Sequence, residues 1–136
     1  MNNIEQTLSI IKPDAVERNL DNEIKEMFKN NGFKIIKDKK IQIEKLEAEK
    51  FYKVHETKPF YSDLCNYLSS GPIVVMILEK DNAVLANREL MGATNPNDAE
   101  EGTIRKKYGI SIDKNSVHGS DSVENAKIEI DFFFKD

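Results

Sequence analysis

Residues 73–80 read IVVMILEK, directly after Gly71-Pro72. The run from Ile73 to Leu78 is apolar at every position, so a strand built from it exposes apolar side chains on both faces. Such a strand belongs at the centre of a sheet, covered on both sides. The segments around it must therefore supply further strands and the helices that cover them.

Downstream, Asn82 is expected to cap a helix that carries Ala83, Val84, Asn87, Leu90 and Met91 along one side and ends at Gly92. Upstream, residues 44–70 read as two short helices broken at Lys58-Pro59. The second places Phe60, Leu64 and Leu68 on one stripe, with Cys65 beside it in the core. Before these, FKIIKDKKIQI puts Phe33, Ile35, Ile41 and Ile43 in one parity with lysines between them, the pattern of an exposed edge strand. Leu20, Ile24, Met27 and Phe28 recur at helical spacing before Asn31-Gly32, a good left-handed stop. Further back, TLSIIK (Thr7 to Lys12) is β-rich and halts at Pro13, which predicts a strand with Lys12 at its tip.

From Gly92 to Ser116 there is little periodicity beyond one turn around Thr103 to Lys107, which suits a binding loop or disorder. A last short strand is expected through Ser116 to His118, and Ser122 caps a final helix carrying Val123, Ala126, Ile130 and Phe133. The order β-α-β, helical insert, β-α-β and a closing helix predicts an α/β sandwich. Its type is the ferredoxin-like split βαβ (βαββαβ) with an antiparallel four-stranded sheet, in a single domain over residues 1–136.

A chain of 136 residues buries enough surface for one core without staples. Cys65 is the only cysteine, so no internal disulfide is possible and a reducing compartment, the cytoplasm, is expected. The opening MNNIEQTL lacks the basic and apolar regions of a signal peptide, and six aliphatic residues cannot span a bilayer. A formal net charge of -4 argues against a nucleic-acid binder, which needs a basic face.

Several phosphate-binding devices are absent. No G-x-x-x-x-G-K-[ST] and no G-x-G occurs, so phosphate would have to be held by side chains. The candidates are Lys12 at its strand end, Arg88 on the helix after Asn82, and Arg105 in the long loop. Taken singly, each reads as an ordinary solvated charge. His118 lies in NSVHGSDS (Asn115 to Ser122), where composition alone reads as a loop or capping histidine, but an imidazole lone pair can also attack phosphorus without a separate base. Gly119 lets backbone approach a ligand closely, and Ser120 and Asp121 add short polar contacts.

TLSIIKPDAV (7–16), KPF (58–60), SGP (70–72), ELMGATNP (89–96), GTIR (102–105) and NSVHGSDS together resemble the nucleoside diphosphate kinase family, in its order and spacing from Thr7 to Phe134. The resemblance implies ping-pong transfer of the γ-phosphoryl group from a nucleoside triphosphate such as ATP to a nucleoside diphosphate through a phosphohistidine. By motif match His118 is the nucleophile, and Glu129 orients its other nitrogen with support from Ser120. Lys12, Arg88, Thr94 and Arg105 match the phosphate contacts, Tyr52 lies near the transferred group, and Asn115 and Lys12 face the ribose hydroxyl. Phe60 stacks on the base opposite Ile112, which tolerates any base. Mg2+ arrives with the nucleotide, with no direct protein ligand and Asp121 reaching it through water.

The family forms homo-oligomers, tetramers or hexamers built from a common dimer, and the short tail after Phe134 inclines the expectation to a tetramer or an unbraced hexamer. Four departures from the family pattern stand out. Asn19 occupies a position where glycine is common, Lys58 replaces an arginine, Tyr61 replaces a phenylalanine, and Asp113-Lys114 replaces Gly-Arg. Lys58 cannot reproduce a bidentate guanidinium, which bears on loop anchoring and subunit contacts. Two alternatives compete with the kinase: a nucleotide-binding regulatory module without turnover, and a phosphorelay protein that passes phosphate to another protein.

Overall fold

The computed structural model describes residues 4–112 and 114–134. Among these, four strands form one sheet: β1 (Ile4–Ile11), β2 (Lys34–Ile41), β3 (Ile73–Asp81) and β4 (Val117–Gly119). Their order is β2-β3-β1-β4 and every pairing is antiparallel. Seven α-helices accompany them among the described residues: α1 (Pro13–Glu17), α2 (Asp21–Asn30), α3 (Lys45–Phe51), α4 (Tyr61–Leu68), α5 (Ala83–Met91), α6 (Ile104–Tyr108) and α7 (Val123–Phe134). This is the expected ferredoxin-like α/β arrangement, with α3 and α4 inserted between β2 and β3 and α7 added at the end.

The central position of β3 follows from its composition. Val74, Met76 and Leu78 enter one core with α1, α2, α5 and α6, while Ile73 and Val75 enter a second with α3, α4 and α7. Both parities are used, because both faces carry helices. Strand β1 beside it pairs over its whole length, from Ile4 opposite Asp81 to Ile11 opposite Val74.

Strand β2 departs from the single-parity expectation. Phe33 and Ile35 pack in the first core, whereas Ile41 and Ile43 pack in the second. A β-bulge between Ile35 and Lys37 causes this: it adds one residue on β2, and the side chains beyond it change face. The strand remains an edge, with its lysines exposed.

Other boundaries also shift. Pro13 ends β1 but also opens α1 at its first position, where a missing N–H costs nothing, so a short helix precedes the one expected from Leu20 onward. Helix α2 closes as expected at Asn31-Gly32: Gly32 has φ 85, its N–H reaches Lys29 O, and Phe33 N–H reaches Phe28 O. Asn82 precedes α5 with a left-handed backbone (φ 51) and makes no side-chain cap hydrogen bond. Phe60 lies just before α4 and is 45% exposed rather than part of the apolar stripe, while Cys65 and Leu68 are buried. The last strand runs one residue later than expected, and Ser122 does cap α7, accepting from Asn125 N at 3.1 Å.

Candidate active site

Strand β4 lies on β1 with His118 opposite Ile10. Its imidazole therefore faces the same side as the second core, where the Phe51 ring meets it edge-on at 5.3 Å between centroids. From helix α7, Glu129 Oε1 stands 3.0 Å from His118 Nε2 and accepts a further hydrogen bond from Ser120 Oγ at 2.8 Å. Ser120 is itself fixed by Leu8, whose carbonyl accepts from Ser120 N at 3.2 Å and whose N–H reaches Ser120 Oγ at 3.4 Å. A carboxylate only accepts, so the proton of a neutral imidazole resides on Nε2 and the lone pair on Nδ1. The two side chains retain 21% and 19% exposure, which leaves the histidine reachable.

Gly119 brings β4 against α5. A Cβ there would lie 2.4 Å from Asn87 Nδ2 and 2.7 Å from Met91 Cε, so no larger residue fits without movement. Beside this contact opens a cleft of about 730 Å³, lined among others by Arg88, Thr94, Arg105, Gly119 and Asp121. Arg105 is buried on α6 and donates from Nη1 to Gly92 O at 3.1 Å and from Nη2 to Val117 O at 2.9 Å. Its buried Nε has no partner among the described residues. Burial first, and then the charge of Arg88, pull its guanidinium down to about 10, still charged at neutral pH. Neither arginine is in an ion pair among the described residues, although Glu89, Asp98, Glu100 and Asp121 also line the cleft, so both guanidinium groups remain available to an anion.

Lys12 stands at the tip of β1, nearly buried, with Nζ 3.0 Å from Asn115 Oδ1. Asn115 Nδ2 in turn donates to Thr94 O at 3.4 Å, which links this pair to the cleft wall. Tyr52 is buried at the end of α3. Burial, followed by the nearby Cys65 and Glu129, holds its phenol far above the ordinary value, so it stays protonated. Phe60 and Ile112 stand on separate segments, 45% and 54% exposed, although both are large and apolar. Core packing therefore accounts for neither.

A family model described as nucleoside diphosphate kinase matches residues 5–136. The chain belongs to that family. A nucleoside diphosphate kinase of Campylobacter jejuni (serotype O:6, strain 81116) is 58% identical over 132 residues, covering 97% of this chain and 96% of that protein. Another, from Bartonella tribocorum, is 56% identical over 133 residues, 98% and 95% of the two chains. Among solved structures, the Aquifex aeolicus nucleoside diphosphate kinase superposes with a TM-score of 0.95 at 38% identity, covering 97% of this chain and 96% of that one.

Within this nucleoside diphosphate kinase chain, two departures from the family pattern have a visible physical basis. Asn19 has φ 60, a left-handed conformation that glycine adopts freely and that asparagine tolerates better than other side chains. Tyr61 uses the hydroxyl that phenylalanine lacks, donating to Glu49 O at 3.0 Å and tying α4 to α3. Lys58 is exposed, and its backbone takes part in the turns that precede α4. Asp113 lies outside the described residues.

Sequence reasoning passed over Phe51, which touches the imidazole, while His55, which has nothing around it in the sequence to mark it, places its ring 6.2 Å from both Tyr52 and Phe60. It also passed over buried Asp14 with its partners Arg18, which is exposed, and Tyr67, which is half-buried. Only KPDAV, as part of a longer motif, touched that cluster.

Proposed function

We propose that the nucleoside diphosphate kinase activity of this chain runs through His118. The activity is transfer of the γ-phosphoryl group from a nucleoside triphosphate such as ATP to a nucleoside diphosphate, in two half-reactions. In the first, the Nδ1 lone pair of His118 forms a bond to the γ-phosphorus while the bond from phosphorus to the β-γ bridging oxygen breaks. The departing diphosphate takes that electron pair. In the second, a terminal oxygen of an acceptor diphosphate forms the new bond to phosphorus, and the P–N electron pair returns to Nδ1.

The observation that carries this reading is the pairing of His118 Nε2 with Glu129 Oε1 at 3.0 Å. It commits one nitrogen to an anchor and leaves the other as nucleophile, with Glu129 balancing the positive charge that the ring acquires on phosphorylation. Arg88, Arg105, Thr94 and Lys12 serve to position the phosphates and neutralise developing charge, where most of the catalysis of a loose phosphoryl-transfer transition state resides. Tyr52, as a neutral phenol, offers a hydrogen bond near the transferred group. Lys12 and Asn115 face the ribose hydroxyl, and Phe60 with Ile112 encloses the base. A regulatory module without turnover has no use for a carboxylate that fixes one tautomer of a half-buried, still reachable histidine.

Mg2+ fits the site as a companion of the nucleotide. No group of three or more metal-binding side chains occurs among the described residues, while Asp121 lines the phosphate cleft and its Oδ1 accepts from Asn125 Nδ2 at 2.6 Å. Asp121 would help to hold the ion beside the phosphates, and the ion would neutralise phosphate charge. No helix among the described residues is long and apolar enough to cross a membrane. We further assign residues 1–136 to one catalytic domain, acting in the cytoplasm as a homo-oligomer, a tetramer or a hexamer.

The test is His118→Ala. Turnover should vanish while ATP and ADP still bind within about threefold of the wild-type affinity, because the imidazole forms the intermediate and does not hold the substrate. Substantial residual turnover would rule out the covalent route through this residue.

A further inference from the structure

Behind Lys12, one carboxylate joins three parts of the fold that are far apart in the chain. Asp14, on α1, is 5% exposed. Its Oδ1 accepts from the Tyr67 hydroxyl of α4, and its own backbone N–H donates to that same hydroxyl at 2.9 Å. Its Oδ2 accepts from Ser116 Oγ at 2.8 Å and from Arg18 Nη2 at 3.1 Å. Arg18 Nη2 also reaches Tyr108 O at 2.6 Å, at the end of α6. Ser116, fully buried, holds a left-handed backbone with φ 75, and its carbonyl accepts from Lys12 N at 2.8 Å. A non-glycine residue keeps such a backbone only where its surroundings over-determine it.

None of these groups touches the cleft that the arginines line, yet each stands next to one that does or that faces the nucleoside. Ser116 follows Asn115, Asp14 follows Lys12-Pro13, and Tyr67 is on the helix that begins just after Phe60. We propose that Asp14 is the positioning residue for the nucleoside side of the pocket. Its carboxylate fastens the 109–116 loop, through Ser116, and helix α4, through Tyr67, to the tip of β1. That sets Asn115 against Lys12 and fixes the spacing between Phe60 and Ile112. This rests on the assignment of Lys12 and Asn115 to the ribose hydroxyl made above.

The consequence is selective. Loosening the Asp14 cluster should weaken recognition of the sugar hydroxyl and leave the histidine chemistry intact. The experiment uses the full chain with Ser116→Ala and, as a shape-conserving second variant, Tyr67→Phe. Each is assayed with ATP as donor and either GDP or its 2′,3′-dideoxy analogue as acceptor, and melting is recorded alongside. The expected result is a loss in kcat/KM of about tenfold for GDP, carried mostly by KM, against less than roughly twofold for the dideoxy analogue, since Ser116→Ala removes the hydrogen bonds its hydroxyl makes with Asp14 and Arg18, and Tyr67→Phe removes both that its hydroxyl makes with Asp14. Phosphoryl loading of His118 should still reach one group per chain. Equal losses on both acceptors, or no loss on either, would overturn the positioning role. A wild-type chain that uses GDP and the dideoxy analogue equally well would instead overturn the ribose assignment on which it rests.

Discussion

Glu129 Oε1 accepts two hydrogen bonds, one from His118 Nε2 at 3.0 Å and one from Ser120 Oγ at 2.8 Å, and so fixes the imidazole from the side away from its free nitrogen. Glu129→Gln keeps the shape of this contact but replaces an obligate acceptor with a group that also donates. Part of the population can then hold the proton on Nδ1, where it blocks attack. The expected cost is about 10- to 100-fold in kcat/KM with nucleotide affinity nearly unchanged, as for other groups that orient a reacting histidine. Stopped-flow measurement of His118 phosphorylation at saturating ATP checks this, and an unchanged rate would show that the carboxylate has no orienting role.

Arg88 and Arg105 both line the cleft, and the charge of Arg88 is one of the two causes that lower the Arg105 pKa. Arg88 is exposed on α5, so its removal should not harm the unliganded fold. Arg88→Ala is expected to raise KM for nucleoside diphosphates about 10- to 100-fold, the value of a lost charge-assisted hydrogen bond, while the melting midpoint without ligand stays within about 2 °C. Calorimetry with and without ADP separates the two effects. A lower midpoint without any change in KM would assign Arg88 to the scaffold.

Gly119→Ala places a methyl group against Asn87 and Met91. Overpacking of this kind costs about 1–3 kcal/mol, which lowers the midpoint by several degrees in a chain of this size. Both side-chain nitrogen and oxygen of Asn87 are buried with no hydrogen-bond partner among the described residues. Asn87→Ala should therefore be mild alone and should restore much of the loss in the double variant, a coupling that a double-mutant cycle measures directly. Strict additivity would mean that the strain lies elsewhere.

Phe60→Ala tests the base platform. Because the ring is 45% exposed, stability should barely change, while ADP, GDP, CDP and UDP should all lose about 1–3 kcal/mol of binding. Titration of the four diphosphates decides, and a loss confined to purines would contradict a simple stacking role.

The sheet was legible because its decisive signal is local: a run apolar on both parities at Ile73 to Leu78 needs two covering layers, and it has them. The face change along β2 was not legible. The bulge is a property of how β2 registers against β3, and nothing in KIIKDKKI marks Ile36 as the residue without a partner. Helix α1 was missed because Pro13 can both stop a strand and start a helix.

Site residues divide along the same line. Lys12 and His118 could be singled out from their own surroundings, but Glu129, Thr94 and Ile112 carry no local mark and entered through the family resemblance alone. The Asp14 cluster, whose partners Tyr67 and Ser116 lie 53 and 102 positions away, could be seen only once the chain was folded.

The central claim is that His118 carries the phosphoryl group between two nucleotides. Its most direct test is intact-protein mass after brief exposure to ATP and Mg2+ without acceptor, kept at neutral or alkaline pH to preserve a phosphohistidine. The account predicts one added phosphoryl group mapped to His118, discharged on addition of GDP with GTP appearing in equal amount. A chain that binds ATP but remains unmodified, or a label that maps elsewhere, would contradict it.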